Sequence, residues 1–389
     1  MDFGLLALVM AAGLVGPLLA SLHRFAPPVV VGQIAAGVLL GVSGVGWIKP
    51  DEPFVRGLAT IGFALLMFIV GTHLPLRDVG LRSALAVGFG VAATVGVMAT
   101  AGGLLVAPHV GLSRPGILAV LMATSSGAVA LPVLQGLAIR DRVTLVATAW
   151  IAIADILTVL VLPLVLATGR LGRVLVGGAL VIVASGGLFV IARLLRDTAV
   201  VLRARTLSRD RGWGLDLRIS LLALFACAWL ATRFGTSILI AGFAVGAVVA
   251  LLGAPRRVAQ QLVGVGEGFL IPVFFVHLGA QLDLGALLKS PQALWLAGTI
   301  AVVAIVIHVV AARAWRLSLG AGLLASAQLG VPAAVVSIGL STHQLTPAQG
   351  SAIMAALLLT LAASAVGSVL LGHGSQLTDA NAPVEQRPA

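Results

Sequence analysis

Charged residues are scarce in this chain. They make up 10% of 389 residues, where a soluble protein of that size carries about a quarter. With 60% hydrophobic residues and a mean hydropathy of +1.14, that deficit excludes a soluble globular protein and leaves an all-α polytopic membrane protein. Cysteine is nearly absent. The single copy, Cys227, lies inside an apolar run and reads as a small core residue, so a disulfide framework is excluded. No phosphate loop, nucleotide fingerprint, Cys/His metal cluster or catalytic triad is present. An enzyme, a nucleotide domain, ATP-driven transport on this chain alone and a bound cofactor are therefore not expected.

What the chain does have is apolar sequence in long runs. Pro, Gly, Arg and Asp divide it into about thirteen segments able to cross a bilayer as helix. They lie at about 4–21, 28–47, 56–74, 83–107, 116–136, 143–168, 172–196, 217–233, 236–253, 261–281, 290–312, 317–341 and 347–371. The first lacks a basic leading region and a small-residue cleavage site, so it reads as a span and not as a removable leader. The sequence predicts one transmembrane domain over residues 1–372 and a short disordered tail over 373–389.

The formal net charge is +11. A nucleic-acid surface is one reading of such an excess, but here the basic residues flank apolar segments. With the N-terminus outside, the cytoplasmic segments collect most of the 24 Lys and Arg residues. The positive-inside rule then gives N-out and C-in. The richest stretch, Arg193 to Arg218, is expected to rest on anionic lipid of the inner leaflet. Five of the six tryptophans (Trp47, Trp213, Trp229, Trp295, Trp315) lie near segment ends, as an interfacial belt requires; Trp150 does not.

The two halves of the chain echo each other at an offset of about 206 residues. Gly62-Phe63 with Phe68 matches Gly268-Phe269 with Phe274, Gly116-Ile-Leu-Ala matches Gly322-Leu-Leu-Ala, and Ala36-Gly37 with Gly41 matches Ala241-Gly242 with Gly246. Repeat 1 thus covers about 4–168 and repeat 2 about 217–371, with a linker helix at about 172–196. A shift of seven spans reverses the direction of crossing, so the repeats are inverted. Paired interrupted helices at equivalent positions mark the binding site of carriers built this way. The candidates are Ala123-Thr-Ser-Ser-Gly-Ala-Val-Ala-Leu-Pro132 and Ala327-Gln-Leu-Gly-Val-Pro332, which set Thr124 against Gly330 and Ser126 against Pro332. One span away, Asp155 stands near the middle of an apolar run. An ionisable group at that depth is costly and marks a functional site.

Four stretches carry a family resemblance that extends over nearly the whole chain. They are Pro27-Pro-Val-Val-Val-Gly-Gln-Ile-Ala-Ala-Gly-Val-Leu-Leu-Gly, Ala123-Thr-Ser-Ser-Gly-Ala-Val-Ala-Leu-Pro-Val-Leu, Ile240-Ala-Gly-Phe-Ala-Val-Gly and Pro272-Val-Phe-Phe-Val-His-Leu-Gly-Ala-Gln-Leu-Asp-Leu. In these the chain resembles the monovalent cation:proton antiporter-2 family, the bacterial sodium/proton and potassium/proton exchangers. The resemblance implies a sodium/proton antiporter-like fold and a homodimer. It also implies a core bundle carrying spans 5, 6, 12 and 13 and a cation/proton site at Asp155, Thr124, Ser125 and Ser126. The chain departs from the family pattern at four places. Ala154 stands where a second acid or an amide is common, His308 takes the place of a Lys or Arg, His73 that of a Glu, and Leu329-Gly330-Val331 that of an Arg-Gly-Glu.

A carboxylate in a low dielectric resists ionisation, so protons and cations compete for it. Exchange of Na⁺ or K⁺ for H⁺ at Asp155 follows, with one proton per cation in the absence of a second acid. His308 is the gating or charge partner, a salt bridge to Asp155 being the structural alternative. His73 and His277 read as polar contacts near span ends, Glu267 as a hydrated helix-end carboxylate, and Asp283, Arg77 and Arg82 as interfacial anchors. The readings that compete with antiport are a sodium-coupled carrier of an organic anion and a non-transporting membrane sensor or assembly factor.

Overall fold

The computed structural model describes residues 3–22, 28–72, 79–112, 114–136, 142–166, 171–196, 198–234, 236–253, 261–262 and 264–380. His73 and Arg77 lie outside them, and of the Arg82 side chain nothing is described. Among the described residues the regular structure is helical throughout, as backbone in lipid must be when no water is there to bond its N–H and C=O groups. The helices are α1 (Phe3–Leu22), α2 (Val29–Leu40), α3 (Pro53–Thr72), α4 (Val79–Val106), α5 (Pro115–Ala123), α6 (Gly127–Gly136), α7 (Arg142–Leu166), α8 (Leu171–Leu195), α9 (Ala199–Asp210), α10 (Leu215–Arg233) and α11 (Ile238–Leu252). After a π turn at Gly266–Leu270 come α12 (Ile271–Ala280), α13 (Leu284–Lys289), α14 (Pro291–Ala314), α15 (Leu319–Ala325), α16 (Gly330–Ser341) and α17 (Pro347–Ala380).

Among the described residues, ten spans are long and apolar enough to cross a membrane, and three shorter apolar helices, Val29–Leu40, Pro115–Leu131 and Ile238–Leu252, accompany them. Each overlaps one of the stretches expected from sequence, and ten of them, against the thirteen expected, have the length and hydropathy of a membrane span. The last helix runs on to Ala380, past His373, where the polar tail was expected to start; 381–389 lie outside the described residues. Trp47, Trp229 and Trp295 are more than half exposed while Trp150 is fully buried, which agrees with belt positions for the former and an interior one for the latter.

The helices gather into two compact units. One holds α1–α3 with α8–α12. The other holds α4–α6 with α13–α17, and α7 is divided between them after Thr158. Each unit thus takes three expected spans from each half of the chain. The second adds spans 4 and 11 to the spans 5, 6, 12 and 13 expected to form a core.

In the first unit, close backbone packing explains one of the sequence echoes. A methyl placed on Gly37 of α2, or on Gly41 just beyond its end, would lie 2.1 Å from the Val276 carbonyl oxygen or 2.3 Å from the Ala280 Cα on α12. On Gly242 or Gly246 of α11 it would lie 2.5 Å from the Ala64 oxygen or 2.1 Å from the Phe68 oxygen on α3. The paired Ala-Gly-x-x-x-Gly stretches therefore do the same job in two equivalent helix pairs, bringing backbones together without side chains between them. Phe63 and Phe274, from two of the echoed motifs, stack at 5.0 Å between α3 and α12. The Gly62 and Gly268 match has no such symmetry: Gly62 abuts the Leu270 carbonyl, whereas Gly268 faces open space.

Candidate functional site

The second unit brings the expected site residues together around two helix interruptions. The first lies where predicted. The α5 helix stops at Ala123, Thr124 turns to extended backbone (φ −72°, ψ 138°), and α6 starts at Gly127. Thr124, Ser125 and Ser126 form the gap and all are buried. The second interruption lies a little earlier than the sequence offset gives. It comprises Ser326, Ala327, Gln328 and Leu329, between α15 and α16. Gly330 is the first residue of α16, as Gly127 is of α6, and Pro332 lies inside its first turn. There a missing N–H costs nothing, because the first turn of a helix has no intrahelical acceptors for it. Gly330 and Pro332 are therefore not themselves unwound.

The two gaps touch. The Ser126 N–H donates to the Ala327 carbonyl at 2.7 Å, and the buried Gln328 side chain donates through Nε2 to the Leu121 carbonyl, also at 2.7 Å. Backbone freed by each break is thus satisfied in part by the other, the condition under which irregular backbone persists at membrane depth. Gln328 was quoted in the predicted segment without being singled out. A long amide at the position where a helix stops was the signal.

Asp155 stands at the middle of α7 and is buried. Its Oδ2 accepts the Gly127 N–H at 2.9 Å. That amide belongs to the first residue of the half-helix α6, so the carboxylate sits on the positive end of a helix whose leading N–H groups have no intrahelical partner. Only glycine permits the approach without adjustment, since a Cβ there would lie 3.0 Å from Oδ2 and 3.3 Å from Leu131 Cδ1.

Thr158, one turn on from Asp155 along the same helix face, ties α7 to the gap. Its hydroxyl donates to the Ala154 carbonyl at 2.8 Å and lies 3.2 Å from the Asp155 carbonyl. With its one hydrogen spent there, it receives the Thr124 hydroxyl at 3.2 Å. The i, i+3 spacing in Asp155-Ile-Leu-Thr158 was the readable sign of this partnership.

His308 belongs to the same cluster through Ser125. Its Nδ1 donates to the Ala304 carbonyl at 2.8 Å; a carbonyl only accepts, so that nitrogen carries a proton. Nε2 lies 3.2 Å from the Ser125 hydroxyl, from which a neutral ring accepts and to which an imidazolium donates. The ring stacks on Trp150 with centroids 5.7 Å apart, and the Trp150 Nε1 has no hydrogen-bond partner among the described residues. No ion pair within 4 Å joins His308 to Asp155, so the salt bridge considered from sequence is not formed. Two serine and threonine contacts connect the helices instead.

The remaining candidates lie elsewhere. In the first unit, His277 is buried with Nε2 2.6 Å from Gln281 Nε2, the polar contact expected of it, though its Nδ1 is left without a partner among the described residues. Glu267 is exposed in the π turn that precedes α12. No group of three or more His, Cys, Asp or Glu able to hold a metal ion occurs among the described residues.

Two interrupted helices meeting at their gaps, with a buried carboxylate on the N-terminus of one half-helix, define the class of secondary membrane carriers. The chain belongs to the sodium/hydrogen exchanger transmembrane family, whose pattern matches residues 9–377. It is similar to a Na(+)/H(+) antiporter of Enterococcus hirae, 28% identical over 291 residues, 73% of this chain and 74% of that one. It is also similar to the Na(+)/H(+)-K(+) antiporter GerN of Bacillus cereus, 26% identical over 264 residues, 67% of this chain and 66% of its relative. Among solved structures it superposes on the sodium proton antiporter MjNhaP1 of Methanocaldococcus jannaschii with a TM-score of 0.63 and 14% identity, over 97% of this chain and 98% of that one. At that identity the likeness establishes the fold.

Proposed function

We propose that the protein exchanges a monovalent cation, Na⁺ or K⁺, for H⁺ across the membrane by alternating access, and that Asp155 is the group both compete for. The observation that carries this reading is the buried Asp155 carboxylate bound to the Gly127 amide at the crossing of two interrupted helices. A carboxylate held there is stabilised by one helix terminus and, among the described residues, by no cationic side chain within ion-pair distance. It gains further from either a proton or a metal ion, and from only one at a time. Hard cations take oxygen ligands, and Thr124, Ser125 and Ser126 supply hydroxyls and carbonyls beside it. If the barrier is crossed only by the neutralised carboxylate, coupling follows. Family membership and relatives named as cation/proton antiporters support this over an organic-anion carrier or a sensor.

With Ala154 beside Asp155 in place of a second acid or amide, the exchange is one proton for one cation and moves no net charge. His308 and Ser125 join the site as its gate, and the gap ahead of Gly330 and Pro332 is the moving backbone. A bacterial inner membrane, an outside N-terminus, a cytoplasmic C-terminus, thirteen spans and a homodimer complete the reading. The test is antiport in inside-out vesicles with an acid interior, challenged in turn with Na⁺, K⁺ and Li⁺ while internal pH is followed. Alkalinisation by at least one cation, abolished by Asp155→Asn, is expected. Correctly folded protein that responds to none of them refutes the proposal.

A further inference from the structure

The first unit contains a cavity that plays no part in the chemistry at Asp155. It has a volume of about 150 Å³ and lies among α8, α10 and α11, several times the roughly 30 Å³ that one water occupies in the liquid. Its walls are apolar side chains of α8, α10 and α11, among them Leu188, Ile219, Ala223, Val245 and Leu252, with the one hydroxyl of Ser220 turned onto the Asp216 carbonyl of its own helix at 2.9 Å. Its charged lining is confined to one end: Arg196 just beyond α8, Arg205 on α9, and Asp216 in the first turn of α10. The chain passes down α10 and back up α11, so the end of α8, the start of α10 and the end of α11 at Gly253 lie at one level. From Asp216 to Ala223, and likewise from Leu252 to Val245, the walls descend two helical turns, about 10 Å.

That level carries the marks of a lipid headgroup region. The α9 helix has polar and apolar faces, with Val200 76% exposed and Leu202 50% exposed beside its arginines. Trp213, 47% exposed, lies under the Arg211 guanidinium at 5.4 Å. An amphipathic basic helix followed by an exposed tryptophan is the composition of a segment lying in the interface plane. An apolar slot opening at that plane under a rim of guanidinium groups fits one kind of molecule.

We infer that this slot is a binding site for an anionic phospholipid of the bilayer, an acyl chain entering between α8, α10 and α11 and the phosphate resting on Arg196 and Arg205. Arg205 already pairs with Asp216, Nε to Oδ1 at 3.3 Å, which fixes its stem at the rim and leaves the guanidinium's other N–H groups to turn to a phosphate. A soluble phosphate meets the same arginines but leaves the apolar walls unfilled. A zwitterionic lipid fills the walls but offers the rim no net charge.

The experiment uses the full-length protein, delipidated in detergent, with native mass spectrometry and thermal unfolding as readouts. Phosphatidylglycerol, chain-matched phosphatidylcholine and free glycerol phosphate are added in turn. Phosphatidylglycerol is expected to be retained and to raise the unfolding temperature, the other two not. Arg196→Gln should weaken its retention about fivefold, the worth of one basic group near anionic lipid. Arg218→Gln, which removes a charge on the same α10 turn outside the slot, should leave retention unchanged. Ala223→Phe, filling the slot, should lower retention of lipid while glycerol phosphate behaves as before. Equal retention of the two lipids overturns the site, as does equal loss from Arg196→Gln and Arg218→Gln. If Ala223→Phe does not fold, the two arginine variants decide alone.

Discussion

At the scale of single residues, the site rests on one amide and one carboxylate. The bond from Gly127 to Asp155 at 2.9 Å is charge-assisted when the acid is ionised, and such bonds contribute about 1.5–3 kcal/mol. Gly127→Ala keeps the helix and the acid, but its methyl sits 3.0 Å from Oδ2, so the carboxylate must shift off the amide. The expected result is about tenfold weaker apparent cation affinity with maximal exchange largely kept, measured as cation dependence in vesicles; unchanged affinity would remove Gly127 from the site. Asp155→Asn, which cannot exchange a proton, should abolish exchange at every cation concentration while leaving thermal stability near that of the parent. The His308 ring is a different case. Its Nδ1 and Nε2 are both engaged, so His308→Gln keeps a side-chain partner for Ser125 and removes the one imidazole in the cluster. Exchange should survive with an altered pH profile, read as exchange rate against pH in vesicles. A profile identical to the parent's would make the histidine purely a packing and hydrogen-bonding residue.

At the scale of helices, what holds the first unit together is backbone contact. With lipid on one side and apolar side chains on the other, burial discriminates little, and close approach through small residues takes over. Gly246→Leu drives a side chain into the Phe68 carbonyl, 2.1 Å from where its Cβ would start. It should cost at least the 1–3 kcal/mol, approximately, of an overpacked core, read as a lowered unfolding temperature in detergent. Gly57→Ala, on the neighbouring α3 at a position facing open space, should leave that temperature equal or slightly higher. The same contrast explains how far the sequence could be read. Helices announced themselves through long apolar runs, and the repeat through Gly37, Gly41, Gly242 and Gly246, because each is a local or pairwise property. Asp155 was legible because a charge in such a run is conspicuous. The exact gap in the second broken helix was not. Gly330 and Pro332 are the usual breakers, yet both lie inside α16, and the chain unwinds over Ser326 to Leu329, where Gln328 reaches the Leu121 carbonyl. That bond joins residues distant in sequence, and no spacing rule within one segment contains it. The His308 contact to Ser125 was hidden for the same reason, whereas Thr158 was within reach of a helical-face argument.

At the scale of the whole molecule, the quantity that matters is the charge carried across per cycle. One acid that binds either a proton or a monovalent cation is neutral in both loaded forms, and neither passage moves net charge through the membrane field. A field acts on a step only through the charge that the step displaces, about 2.3 kcal/mol per elementary charge per 100 mV. Sodium-driven exchange should therefore run at the same rate whether vesicles are held at zero potential or polarised with a lipophilic ion. Ala154 stands beside Asp155 on α7 and is buried, so Ala154→Asp places a second carboxylate where its charge must be neutralised for the barrier to be crossed. If two protons then return against one cation, one net charge crosses per cycle. A potential of 100 mV would change the driving force by about 2.3 kcal/mol, roughly a fiftyfold change in the cation gradient that balances the cycle. The measurement is the sodium gradient at which proton flux reverses, taken at fixed pH difference and two potentials. For the parent the reversal gradient should be the same at both; for Ala154→Asp it should move with potential. A parent reversal point that moves with potential would mean that more than one titrating group is carried across, and His308, hydrogen-bonded to Ser125 in the same cluster, would be the group to remove next.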